Sequence, residues 1–227
     1  MNITIEDYLT QTKYICEGLI ELISKIAADK MQIDSIKAVI PLYEKKAEML
    51  AQGAIEKRKT DKAQSLKEMA EAAGYGIAAR KSHERVNKVD GTYNNALFIT
   101  NGPLESVSQA LLQIAKQGIS STYKVNSKKR CMTAFDDTGK VMPQRYNVSI
   151  LDIIWEGRNQ SIHYEDGKKL HDNVKLCFDS LLRNGSYDVC TSLIGYDNGE
   201  NKAYEIIKVL GWTDYKQFYN DMMSLSL

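Results

Sequence analysis

The side chains best suited to chemistry are an arginine and a histidine five residues apart, Arg158 and His163, with Asn159 directly after the arginine. Arginine carries a permanent charge and a planar fork of donors that can grip a phosphate and stabilise the extra charge of a transition state. Histidine titrates near neutral pH and can take or donate a proton. The combination therefore predicts phosphate chemistry, with Asn159 placed to orient the pair or to contact phosphate.

Each of these side chains also has a purely structural interpretation. Arg158 could form a surface salt bridge with Glu156, Glu165 or Asp166, and His163 could cap a helix or be a hydrogen-bonded core residue. The order and context of the residues favour function, because an apolar helical stretch runs into Arg158 and a second amphipathic helix follows His163.

Residues 158–163, with the sequence RNQSIH, resemble the RNxxxH signature of the HEPN superfamily, the "higher eukaryotes and prokaryotes nucleotide-binding" domains. The resemblance implies a helical bundle, usually dimeric, that cleaves RNA without a metal and uses the ribose 2′-hydroxyl as the nucleophile. It also implies that Arg158 and His163 are catalytic. Tyr164 follows the histidine directly, whereas one branch of toxins has a modifiable tyrosine one residue later, so that form of control is not expected.

The function implied by the resemblance is an endoribonuclease that serves as a toxin or an abortive-infection effector. Its partners would be RNA, a second copy of the chain and a cognate antitoxin protein. Two-fold packing would bring two Arg/His pairs into one cleft. The alternative is a catalytically inactive HEPN-like module that binds nucleotide, RNA or a partner protein. A third interpretation is an unrelated helical protein in which the motif is coincidental.

The charges of the chain are balanced, since 30 Lys and Arg face 29 Asp and Glu. RNA binding would therefore depend on local basic patches. The best of them is Lys128, Lys129 and Arg130, because Tyr123 and Phe135 lie nearby in sequence and aromatic rings can stack on unpaired bases. A solvated surface patch is the alternative for these three residues.

No metal site or cofactor is predicted. His171 lies eight residues beyond His163 and has Asp166 and Asp172 nearby, but the helical pair of histidines four residues apart that typically binds zinc is missing. The four cysteines lie far apart and are predicted to be reduced thiols. The N-terminal segment has no basic region of a signal peptide and no apolar run approaches ~20 residues, so a cytoplasmic protein without a membrane span is expected.

Apolar residues recur at helical spacing through much of the chain, which has only three prolines. The spacing predicts an amphipathic helix over residues 4–28 and a second one that starts after Asp34, its N-cap, and contains Pro41. Further on, small residues around Gly74 and Gly76 predict the end of a helix and a turn.

Turn-forming residues at 91–102 precede Pro103, which suits the first turn of a helix that extends to about Gly118. Residues 119–146 predict a small hairpin or an irregular insertion around the turn at 136–140, DDTGK. This insertion separates the helices of the N-terminal half from the motif.

Residues 147–184 predict a helix, a break near Gly167 and a second helix, and the tail predicts helices around 200–210 and 213–223. The fold class is therefore all-α, a HEPN-like antiparallel helical bundle with a helical C-terminal extension. The predicted domain spans residues 1–184, and residues 185–227 are predicted to pack on it.

Overall fold

The computed structural model of the chain describes residues 3–92, 102–164 and 170–227 and confirms the all-α fold class. Within these ranges it has nine helices, of which the first five are α1 Ile5–Lys57, α2 Lys62–Gly91, α3 Gly102–Tyr123, α4 Lys128–Asp136 and α5 Ile150–His163. The other four are α6 Asp172–Asn184, α7 Tyr187–Leu193, α8 Ala203–Leu210 and α9 Tyr215–Ser224. Two short strands, β1 Gln144–Arg145 and β2 Val148–Ser149, pair antiparallel just before α5.

The chain divides into two compact units. The first unit comprises Met1–Lys25 and Gly102–Leu227, and the second comprises Ile26–Asn101. Helix α1 contributes to both units. The sequence-based assignment of a domain over 1–184 with an extension over 185–227 follows a different division and stays a prediction.

The second unit is a helical hairpin with a seven-residue repeat. The repeat appears in α1 as three buried isoleucines and in α2 as four buried residues, namely Ile26, Ile33 and Ile40, then Ser65, Ala72, Ala79 and Val86. The helices run antiparallel, since the tilted rings of Tyr43 and Tyr75 lie 6.1 Å apart and Ser65 donates a hydrogen bond to the Ala54 carbonyl oxygen at 2.7 Å. A strict seven-residue repeat is typical of coiled-coil packing.

Two sequence predictions about these helices are wrong. The two helices expected over 4–28 and from Asp34 onward are one helix, because residues 29–33 contain no glycine or proline that would end the first. The turn expected at Gly74 and Gly76 is also absent, since both glycines lie inside α2. Alanine is the best helix former and surrounds the two glycines, which keeps this stretch helical.

The insertion at 119–146 contains a helix that the sequence analysis did not anticipate, α4, followed by the expected turn with Gly139 at a φ of +70°. The predicted hairpin is reduced to the β1–β2 ladder. Helix α7 was also not anticipated. The break predicted near Gly167 and most of the turn at 91–102 lie outside the described residues.

Helix α5 is central to the first unit, where it packs against α3, α6 and α8. Its start is fixed by Ser149, whose hydroxyl accepts a hydrogen bond from the Asp152 amide at 2.9 Å. It approaches α8 so closely that a Cβ atom on Gly157 would meet the side chain of Ile206 at 2.7 Å. This close packing gives the helix that carries the RNQSIH motif a fixed position.

Candidate functional site

Helix α5 presents its polar residues on two sides. Asp152, Glu156 and Asn159 follow one another at helical spacing and line a cleft, whereas Arg158 faces α3.

Gln160, in the middle of the RNQSIH motif, has a structural role. The amide nitrogen of buried Gln160 donates to the carbonyl oxygens of Tyr196 and Glu200 at 3.0 and 2.6 Å. These bonds tie the segment before α8 to α5.

The guanidinium of Arg158 is held by neutral groups. Its Nε donates a 2.7 Å hydrogen bond to the Gln113 side-chain oxygen on α3, and its Nη1 donates a 3.2 Å bond to the Asn159 side-chain oxygen. In the described ranges no carboxylate lies within 4.0 Å of this guanidinium, so the ion pair with Glu156 that sequence analysis left open is not formed. Burial lowers the pKa of Arg158, but an arginine stays charged.

A second cation, Lys116, lies beside Arg158. Its ammonium is 4.6 Å from the centre of the Trp155 ring, a cation–π contact across α3 and α5. Burial lowers the pKa of Lys116, and the charge of Arg158 lowers it further. Two positive charges are thus held together at a half-buried position. The motif gives no indication of Lys116, because this lysine precedes it by more than 40 residues.

Asn159 connects Arg158 to a group of carboxylates. Its amide nitrogen donates a 3.1 Å hydrogen bond to Glu156, whose other oxygen lies 2.5 Å from the Lys128 ammonium. Lys128 also pairs with Asp152 at 2.7 Å. Burial opposes the charge on Lys128, but hydrogen bonds to the two carboxylates outweigh that effect and raise its pKa. Asn159 therefore links the guanidinium of Arg158 to the Glu156 carboxylate, and its role in orienting the catalytic pair stays a prediction.

His163 is the last residue of α5 and is exposed. Its ring lies against that of His171, with centroids 6.4 Å apart and planes at 81°. His171 is the N-cap residue of α6. His171 was not among the site residues predicted from the sequence, because it was considered only as a metal ligand and the helical pair of histidines four residues apart is missing.

The structure does not aim Arg158 and His163 at one point within a single chain. Positions five apart on a helix are separated by ~140° and ~7.5 Å. In keeping with this separation, Arg158 turns toward Gln113 on α3, whereas the His163 ring lies near His171 at the start of α6.

The cleft beside α5 has a volume of about 1370 Å³ and lies within the first unit, between α4, the strands, α5 and α6. Asn159 and Glu156 contribute to one wall, and His171 and Asp172 to another. The volume is sufficient for a ligand of nucleotide size. The side chains of Asn159 and His171 are therefore both accessible from one cavity.

The three basic residues predicted to bind RNA occupy the first turn of α4 and differ from one another. Lys128 is paired with two carboxylates and its side chain is only 17% exposed. Lys129 lines the cleft and is exposed, and Arg130 is also exposed. The stacking residues proposed with them, Tyr123 and Phe135, are buried. RNA binding by the three basic residues stays a prediction, whereas the two rings are not exposed to bases.

No protein family, curated protein or solved structure was found to match this chain. Among residues 3–92, 102–164 and 170–227, no three or more His, Cys, Asp or Glu side chains are grouped to hold a metal ion. In the same part of the chain, no helix is long and apolar enough to cross a membrane.

Proposed function

We propose that the chain is a metal-independent endoribonuclease of the HEPN type, with Arg158 and His163 as its catalytic pair. The observation that supports this most strongly is the guanidinium of Arg158, which is fixed by Gln113 and Asn159 but not neutralised by a carboxylate among the described residues. A fixed cation without a carboxylate partner in the described part of the chain is suited to bind a phosphate and to stabilise charge that develops on it.

In the proposed reaction the ribose 2′-oxygen attacks the adjacent phosphorus, and the bond from phosphorus to the 5′-oxygen breaks. One group must take the 2′-hydroxyl proton and another must give a proton to the leaving oxygen. His163 is proposed for one of these roles, and His171 is near enough to be considered for the other. The products are a 2′,3′-cyclic phosphate and a 5′-hydroxyl.

The proposed biological role is that of a toxin or abortive-infection effector held in check by an antitoxin protein. A binding module without nuclease activity is the alternative, and the divergence of Arg158 and His163 within one chain favours it. Expression in a bacterial host separates the two, since an active nuclease stops growth unless an antitoxin is supplied. The inactive module would leave growth unchanged.

Purified protein is expected to cut RNA in excess EDTA, because the proposed mechanism uses only protein side chains. End-group analysis should find 2′,3′-cyclic phosphates and 5′-hydroxyls, and a substrate with 2′-deoxyribose at the cut should resist. Activity that disappears in EDTA and returns with Mg²⁺ or Mn²⁺ would exclude the mechanism.

A homodimer is also expected, because the pair diverges on one helix and a second chain could complete the site. Light scattering should give roughly twice the 25.6 kDa mass of the chain. Mixing Arg158→Ala protein with His163→Ala protein should restore activity if the two residues act from different chains. A fully active monomer would contradict the composite site.

A further inference from the structure

Helices α3 and α5 meet through two cross-helix contacts one helical turn apart. Gln113 on α3 accepts the hydrogen bond of Arg158, and Lys116 on α3 lies over the ring of Trp155 on α5. Residues three apart on a helix are neighbours on its surface. The two contacts therefore place the ammonium of Lys116 and the guanidinium of Arg158 about one helical turn apart, close enough for the charge of Arg158 to lower the pKa of Lys116.

Both cations are bound by uncharged groups. Arg158 contacts two amide oxygens and Lys116 contacts an aromatic ring, and in the described ranges neither has a carboxylate within 4.0 Å. Lys128 shows the opposite arrangement, with two carboxylates on one ammonium. Two adjacent like charges at a half-buried position repel each other, and an anion bound between them would relieve the repulsion.

We propose that Lys116 and Arg158 form a phosphate-binding subsite between α3 and α5 that takes a phosphodiester group of the nucleic-acid substrate. Lys116 is a positioning residue in this subsite. In the free protein its ammonium lies over the Trp155 ring, and a bound phosphate would draw it away. The ammonium of Lys116 acts as a point charge, whereas the guanidinium of Arg158 supplies a planar fork of donors. The assignment of RNA as the ligand rests on the proposed function, but phosphate binding itself requires no cleavage.

The two tryptophans provide a direct readout of the subsite. Trp155 is in contact with Lys116, whereas Trp212 is fully buried and donates its indole N–H to Asp221 at 2.9 Å. A ¹H–¹⁵N spectrum of the protein should therefore contain one indole signal at the subsite and one internal reference. Trp155→Phe assigns the two signals.

The test is a titration with a short single-stranded oligonucleotide of 2′-deoxyribose, which the proposed mechanism cannot cut, and in parallel with inorganic phosphate. The Trp155 signal should move and saturate with both probes, and the Trp212 signal should stay fixed. Movement with phosphate alone would refute the nucleic-acid assignment, and no movement with either probe would refute the subsite.

Lys116→Gln should weaken oligonucleotide binding and reduce the slope of log affinity against log salt by about 0.7, the value for one lost phosphate contact on a single strand. Lys116→Arg should restore both. The matched control is Lys208→Gln, because Lys208 also lies over an aromatic ring, Tyr204, but has Glu205 at 3.9 Å. Lys208→Gln should bind like the wild type.

Thermal unfolding of each variant shows whether the fold is intact, and the arginine variant keeps the proposal testable if Lys116→Gln is unstable. Wild-type binding by folded Lys116→Gln would overturn the subsite even if the protein cuts RNA. Binding that depends on Lys116 in a protein that never cuts RNA would leave the subsite standing and refute the proposed nuclease.

Discussion

Arg158→Ala and His163→Ala are each expected to reduce RNA cleavage by roughly 10²-fold or more. Arg158→Ala removes the charge that would stabilise the pentacoordinate phosphate, and His163→Ala removes a proton carrier. Single-turnover cleavage of a labelled RNA measures both effects. Arg158→Lys keeps the charge but loses the planar fork, so it should remain strongly impaired.

The fold should tolerate these variants. Arg158 loses two hydrogen bonds to neutral groups, at roughly 1 kcal/mol each, and His163 is exposed at the end of α5. Thermal unfolding is the control, since a much lower melting temperature would show only that the residue is structural. If both variants fold and cut RNA at the wild-type rate, the motif is coincidental and the proposed function is wrong.

His171→Ala separates two versions of the site. If His171 supplies the second proton transfer within the same chain, its removal should impair cleavage and eliminate one limb of the pH–rate profile. If the second group comes from the partner chain, His171→Ala should keep both limbs. The comparison is informative because the ring centroids of His171 and His163 lie only 6.4 Å apart.

Hydrophobic spacing predicted most helices of the first unit, although not α4 and α7, because their buried faces repeat with the helical period. The helix expected from Pro103 to about Gly118 is α3, Gly102–Tyr123. The helix expected over 200–210 is α8, Ala203–Leu210, which ends where Gly211 adopts a φ of +65°. That glycine lies just beyond the last helical residue, the usual place for a left-handed cap.

Prediction failed where local signals competed with packing between distant parts of the chain. Gly74 and Gly76 suggested a break, but Ala72 and Ala79 beside them are buried in a seven-residue repeat. That repeat is present in the sequence and predicts a coiled coil once isoleucines and alanines are counted together. The aspartate that resembled an N-cap, Asp34, instead forms an i, i+4 ion pair with Lys30 inside α1.

The candidate site was predictable in part. Residue type and spacing identify Arg158, Asn159 and His163, because the signature is contiguous in the chain. Gln113 and Lys116 belong to another helix, and only tertiary packing brings them to α5. No spacing rule connects residues 45 positions apart, which is why the environment of Arg158 required the structure.

Lys128→Met is expected to destabilise the protein by about 3 kcal/mol or more, because it leaves the Glu156 carboxylate buried without its cation. The Glu156 side chain is only 2% exposed and lies 2.5 Å from the Lys128 ammonium. For a chain of this size the loss corresponds to a melting temperature lower by roughly 6–12 °C, which calorimetry can measure. Lys129→Met is the matched control, since Lys129 is adjacent and exposed, and it should leave the melting temperature nearly unchanged.

The double variant Lys128→Met with Glu156→Gln should recover part of the lost stability, because a neutral amide has a much smaller cost of burial than an unpaired charge. The introduced glutamine side chain would keep an oxygen that can accept the hydrogen bond from Asn159. RNA binding should also distinguish the two lysines. Lys129→Met should weaken RNA binding without lowering stability, whereas Lys128→Met should weaken RNA binding only because it destabilises the fold. A Lys128→Met protein that melts like the wild type but binds RNA poorly would show instead that Lys128 leaves its carboxylates to contact phosphate.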